Sequence, residues 1–244
     1  MNGSCAIGER FKWVLPSGEI MTILAHRGNR NGSRPNGENT LSAVKYCVNQ
    51  GWGLEVDVRQ AKEGDFYLSH DVSTVTQENK AVEIFDLVRR YPNAMVAVNV
   101  KELGYEDRLV DFLSEQLSLR QFFLFDMELI ESVPGVTLNK FKAIKNDVQV
   151  AVRVSDHDEP IERALSFQEA DIVWLDEFET LWVQRRDIQR LHDQGKKIYA
   201  VSPELHQFPL PVAQKRWQDF LDWGVEGICT DYPQQLSQVL IGAS

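Results

Sequence analysis

Gly53-Leu54-Glu55-Val56-Asp57-Val58 is the stretch on which the reading of the fold turns. Successive side chains of a strand point to opposite faces, so Glu55 and Asp57 project together while Val56 faces away into apolar surroundings. Working outward, the chain repeats one rhythm. Short strand-like runs fall at 21–26, 53–58, 94–100, 121–126, 148–154, 171–175, 197–202 and 226–229. Between them, 39–50, 82–91, 105–117, 180–194 and 213–223 carry apolar residues at three- and four-residue spacing, the period of an amphipathic helix. Such alternation predicts a parallel sheet with helical crossovers, and eight units fit a closed (β/α)8 barrel of the TIM type. An open doubly wound sheet is the other arrangement it allows. One departure is 59–79, which reads as a hairpin turning at Glu63-Gly64-Asp65 and returning through Phe66-Tyr67-Leu68-Ser69 to His70-Asp71. Residues 1–20 lack clear periodicity and form a peripheral extension, with a single barrel domain over 21–244.

Composition narrows the function classes. With 244 residues, 43% of them hydrophobic, the chain can bury a full core. A net charge of −10, with no run of Lys and Arg interleaved with aromatics, argues against nucleic acid as partner. No apolar run approaches the ~18 residues of a membrane span, and the first residues lack an apolar signal core, so the expected location is the cytoplasm. Cys5, Cys47 and Cys229 are odd in number and widely spaced, which disfavours a disulfide framework or a zinc site. Nothing in the sequence sets the oligomeric state.

In a barrel the active site lies at the C-terminal ends of the strands. His26 and Arg27 end the first predicted strand, Glu55 and Asp57 the second, Asn99 and Lys101 the third, and Asp126, Asp176, Ser202 and Asp231 later ones. Glu55 and Asp57 repel each other unless one is protonated or a cation lies between them, which points to bound Mg2+ or Ca2+. The same pair could instead form ion pairs with Arg27, Arg59 or Lys101. Asp156-His157-Asp158-Glu159 is metal-like in composition but precedes Pro160, and reads first as the solvated cap of a helix. Asp231 before Tyr232-Pro233 likewise reads as a helix cap.

Ala25-His26-Arg27-Gly28, Glu38-Asn39-Thr40, Gly53 through Val58, His70-Asp71 and the late Thr230-Asp231-Tyr232-Pro233 form an ordered set. It resembles the glycerophosphodiester phosphodiesterases, of the phosphatidylinositol-phospholipase-C-like barrel superfamily. The resemblance is dense over about 22–80, returns at the third strand and is faint over 104–225. It implies hydrolysis of a glycerophosphodiester to sn-glycerol 3-phosphate and an alcohol through a cyclic phosphate. It further implies His26 and His70 as general base and general acid, Glu55 and Asp57 as metal ligands, and Arg27 and Lys101 on the phosphate. Imidazole, with a pKa near ~6.5, can take and return a proton at neutral pH, as such a route requires.

Two departures stand out. Where that family carries a third acidic ligand two residues before a lysine, this chain reads Asn99-Val100-Lys101. The Asn99 amide oxygen can ligate a hard cation without adding charge, or its side chain can serve a hydrogen bond; Glu102, Asp126 and Asp176 are the carboxylates that could substitute. The seventh strand, Tyr199-Ala200-Val201-Ser202-Pro203-Glu204, is altered as well, so no particular head group is assigned. The rival functions are a phospholipase-D-like lyase that stops at the cyclic phosphate, and a non-catalytic barrel that binds phosphodiesters.

Overall fold

The computed structural model describes residues 18 and 20–242, so the predicted 1–20 extension and Cys5 lie almost wholly outside the described residues. Eight parallel strands close a ring: β1 (Thr22–His26), β2 (Gly53–Gln60), β4 (Val96–Val100), β5 (Phe122–Phe125), β6 (Gln149–Val154), β7 (Ile172–Leu175), β8 (Lys197–Val201) and β9 (Gly227–Thr230). β1 pairs with both β2 and β9, which closes the barrel and excludes the open sheet. The helices are α1 (Leu41–Asn49), α2 (Ala81–Val88), α3 (Glu106–Gln116), α4 (Val136–Ile144), α5 (Ile161–Ser166), α6 (Arg185–His192), α7 (Leu210–Trp223) and α8 (Pro233–Gly242). No helix among the described residues is long and apolar enough to cross a membrane.

Strand alternation builds two cores. Leu54, Val56 and Val58 of β2 and Val96, Val98 and Val100 of β4 face outward and are buried under the helices. Leu24, Ala97, Phe123, Phe125, Ala151, Trp174, Tyr199 and Cys229 face inward and fill the barrel. The inner layer is lopsided: Phe125 lies 4.1 Å from Trp174 and Phe123 4.9 Å from Tyr199, ring centre to ring centre. These rings lean across the barrel into space left by small residues on the other strands. At Gly227 even a methyl group would come within 2.4 Å of the Tyr199 ring. Filling the lower barrel this way leaves the polar ends of the strands as the lining of the mouth.

The predicted hairpin is present as β3 (Phe66–Leu68), antiparallel to the end of β2, with Gly64 at φ +94° in the turn. Its placement matters for the site. β1 stops opposite Glu55 while β2 runs on to Gln60, leaving the β1 edge of β2 without a partner. β3 fills that edge, because the other is already taken by β4.

Two of the local expectations fail. The helix predicted over 180–194 starts only at Arg185, since 176–184 is a loop tied down by side chains from neighbouring elements. Nor does the acidic run at 156–159 cap a helix: Asp156 accepts hydrogen bonds from the backbone N–H groups of Phe178, Glu179 and Thr180 at 2.8–2.9 Å. Glu159 turns inward to Arg153 and Ser155.

Candidate active site

His26 and Glu55 are register partners across β1 and β2, and Asp57 and Asn99 across β2 and β4, so four of the residues singled out above lie side by side on the inner wall. The His26 imidazole is fixed by Asp231 at the end of β9, with Nδ1–H donating to Oδ1 over 2.8 Å. That leaves Nε2 facing Glu55, 3.9 Å from Oε2. Burial disfavours the charged imidazole, but the Asp231 hydrogen bond and the charges of Glu55 and Asp231 outweigh it and hold the His26 pKa above its ordinary value.

Glu55 and Asp57 are both buried. Burial and the neighbouring Asp57 charge push the Glu55 pKa up to about 7. Asp57 Oδ2 accepts from Asn39 Nδ2 at 2.9 Å and pairs with Arg27 Nε at 3.0 Å. Asp57 Oδ1 is buried with no hydrogen-bond partner; the Lys101 ammonium lies 3.5 Å away. Two adjacent buried carboxylates, one raised and one with a bare oxygen, suit a divalent cation.

Arg27 is shared between Asp57 and Glu38, whose Oε2 lies 3.2 Å from its Nη1. Glu38 also accepts from Asn29 at 3.0 Å and Ser33 at 2.8 Å; these donors and Arg27 overcome its burial and hold its pKa below the usual value. The backbone bends sharply to achieve this. Arg27 at φ 51° and Asn39 at φ 55° both occupy the left-handed region, costly for residues with a Cβ, and are joined by Asn39 N–H to Arg27 O at 2.8 Å.

His70 is half exposed, and its ring nitrogen pairs with Asp71 at 3.0 Å. The sheet nevertheless brings its backbone close to His26. Arg27 N–H donates to Glu55 O, and Ser69 N–H to Asp57 O. These carbonyls are two residues apart on one edge of β2, so the chain carrying His70 occupies the next rung above the chain carrying His26, ~7 Å further along the strand.

No protein-family profile and no curated protein matches the sequence. Solved structures do match its fold. A glycerophosphodiester phosphodiesterase from Parabacteroides distasonis superposes with a TM-score of 0.70 at 15% identity, over 95% of this chain and 90% of its own. One from Agrobacterium tumefaciens gives 0.66 at 15%, over 89% and 100%. An Oleispira antarctica phosphodiesterase, solved in complex with the product sn-glycerol-3-phosphate, gives 0.65 at 17%, over 90% and 96%. This chain shares the (β/α)8 barrel fold of these phosphodiesterases.

The carboxylates offered as substitutes for the missing third acid are already committed. Asp126 pairs with Arg153, and Asp176 lies 3.2 Å from Arg153 Nη2 and 2.5 Å from His206 Nε2. Glu102 is held by Arg59 at 2.7 Å. Among the described residues no three of His, Cys, Asp and Glu group as a metal site. Asn99 donates its amide N–H to Asp126 Oδ2 at 2.9 Å, so its amide oxygen is the end left for a ligand.

Asp231 does not cap α8; it holds His26 and accepts from Asn29 Nδ2 at 2.8 Å. Its place at the end of the last barrel strand was the available signal. Arg153 gave none beyond being an inward position on β6, since Asp126 and Asp176 come from the ends of other strands and only Glu159 lies near it in sequence.

Proposed function

We propose that this protein is a metal-dependent phosphodiesterase that hydrolyses glycerophosphodiesters to sn-glycerol 3-phosphate and an alcohol. The observation that carries the reading is the pair of adjacent rungs on β2: the His26 and His70 segments bond to the Glu55 and Asp57 carbonyls, directly above the two buried carboxylates. This supports a site in which the two histidine-bearing segments border Glu55 and Asp57 at one edge of the mouth.

His26, with Nδ1–H engaged by Asp231, presents Nε2 as the base that takes the proton from the glycerol hydroxyl next to the phosphate. That oxygen attacks phosphorus, the bond to the alcohol oxygen breaks, and His70 supplies the proton that the departing alcohol carries away. Water then opens the cyclic phosphate with the two imidazoles in exchanged roles. Lys101 and Arg27 place positive charge beside the non-bridging oxygens. Glu55 and Asp57, with the Asn99 amide oxygen as a neutral third donor, would hold Mg2+ or Ca2+, which neutralises phosphate charge when bound.

The test is release of glycerol 3-phosphate from a panel of glycerophosphodiesters with Mg2+, with Ca2+ and with EDTA, the products followed by phosphorus NMR. Metal-dependent release supports hydrolysis and ranks the head groups. Accumulation of a cyclic phosphate would make the protein a lyase. A folded protein with no turnover that still binds these diesters in EDTA would be the non-catalytic barrel.

A further inference from the structure

We propose that Arg59, anchored by Glu102, is a positioning residue that fixes the His70 segment over the barrel mouth; this rests on the role given to His70 above. Arg59 continues the inward row Glu55, Asp57, Arg59 along β2, and so emerges at the top of the same wall. Its guanidinium does not reach the carboxylates below it. Instead Nε donates to the carbonyls of Ser69 and His70 at 3.2 and 3.1 Å, and Nη2 donates to His70 O at 2.7 Å. Nη1 donates to Glu102 Oε1 at 2.7 Å. Glu102 is itself held in place: its Oε2 accepts from Gln60 N–H at 3.3 Å and Tyr105 Oη at 3.4 Å.

The need for such a clamp follows from the hairpin. The antiparallel ladder ends at Leu68, and Ser69 N–H to Asp57 O is the last backbone bond before an exposed run, 70–78, that has no regular structure. His70 is exposed, and its imidazole pairs with its chain neighbour Asp71 at 3.0 Å. With the side chain nearly half exposed, the position of the ring depends strongly on that of its backbone. The Arg59 fork is what fixes that backbone, with a geometry that the point charge of a lysine cannot reproduce. Glu102, which the sequence offers as a replacement metal ligand, serves here as the anchor of the clamp.

The experiment compares wild type with Arg59→Lys, Arg59→Ala and Glu102→Gln by hydrogen exchange and by kinetics. Amides of 69–75 are expected to exchange faster in both Arg59 variants while those of β4 and β5 stay unchanged. With the best diester of the panel, kcat should fall ~100-fold in Arg59→Ala, the scale of loss when a catalytic group is misplaced by about an ångström, with KM little changed. Arg59→Lys should be nearly as impaired, and Glu102→Gln less so, because its amide oxygen still accepts one hydrogen bond. Unaltered exchange over 69–75 would overturn the proposal whatever happens to the rate, as would a loss expressed in KM, which would place Arg59 on the substrate. A wild type that turns over no diester would defeat the proposed function, while the exchange data would still decide whether Arg59 orders this segment.

Discussion

The barrel mouth has two acidic halves that differ in their counter-ions. On the β5–β8 side Asp126, Glu159 and Asp176 surround the buried guanidinium of Arg153, with His206 on the far side of Asp176. On the β1–β2 side Glu55 and Asp57 have Arg27, which is shared with Glu38, and a lysine 3.5 Å away. The first cluster is saturated: burial opposes charge on Arg153, but the surrounding carboxylates raise its pKa far above the ordinary value. The second holds Glu55 near pKa 7 and leaves Asp57 Oδ1 without a hydrogen bond, with the Lys101 ammonium 3.5 Å away. The two halves thus differ in how their carboxylates are met: one set shares a central buried guanidinium, the other is flanked by Arg27, Lys101 and His26 at its edges.

Breaking the saturated half should have the largest energetic effect. Arg153→Met leaves Asp126 without its buried counter-ion, and Asp176 and Glu159 with only His206 and Arg163; removing one partner of a buried pair typically costs ~3–5 kcal/mol. Urea unfolding should show a loss of that size; under 1 kcal/mol would mean that the cluster is solvated and the contrast drawn above is wrong. Breaking the other half should affect chemistry more than folding. His26→Ala and His70→Ala should each lower kcat at least ~100-fold with an unchanged far-UV spectrum, the usual cost of losing one acid–base group. Near-wild-type turnover in either variant would remove that histidine from the mechanism.

Asn99 joins the halves and offers a sharper test. Asn99→Asp replaces the amide N–H that Asp126 accepts with a second carboxylate, leaving two anionic oxygens in contact. In EDTA the melting temperature should fall by several degrees, equivalent to ~1–3 kcal/mol, and excess Mg2+ or Ca2+ should restore most of it. Loss without recovery would exclude position 99 from the coordination shell. The smallest effect expected is at the cysteines. Burial pushes the Cys47 thiol up to about 12 and raises Cys229 well above its usual value, so little thiolate exists at pH 8. Iodoacetamide should modify both far more slowly in the native protein than in urea, and mass spectrometry of the labelled peptides will check it.

The features legible in the chain were those written in short spacings. Alternation in Gly53–Val58 and its repetition announced a barrel, because each strand needs one apolar face under a helix whatever its neighbours are. The hairpin turn was legible from Gly64, and the mouth residues from their place at strand ends. Long-range pairing was not. Asp231 looked like a cap because its partner His26 lies 205 positions away, and Asp156 looked like one because the backbone it binds follows the next strand.

By itself the sequence determined the β/α rhythm, which fits a (β/α)8 barrel, and the shared direction of Glu55 and Asp57, since both follow from periodicity; that the sheet closes rather than staying open was decided by the pairing of β1 with β9. Only the tertiary structure decided which charges meet. It assigned Arg153 to one set of carboxylates, Asp231 to His26, and Arg59 with Glu102 to the backbone of His70. Those choices depend on ring closure bringing remote strands within hydrogen-bond distance, and no local pattern encodes that distance.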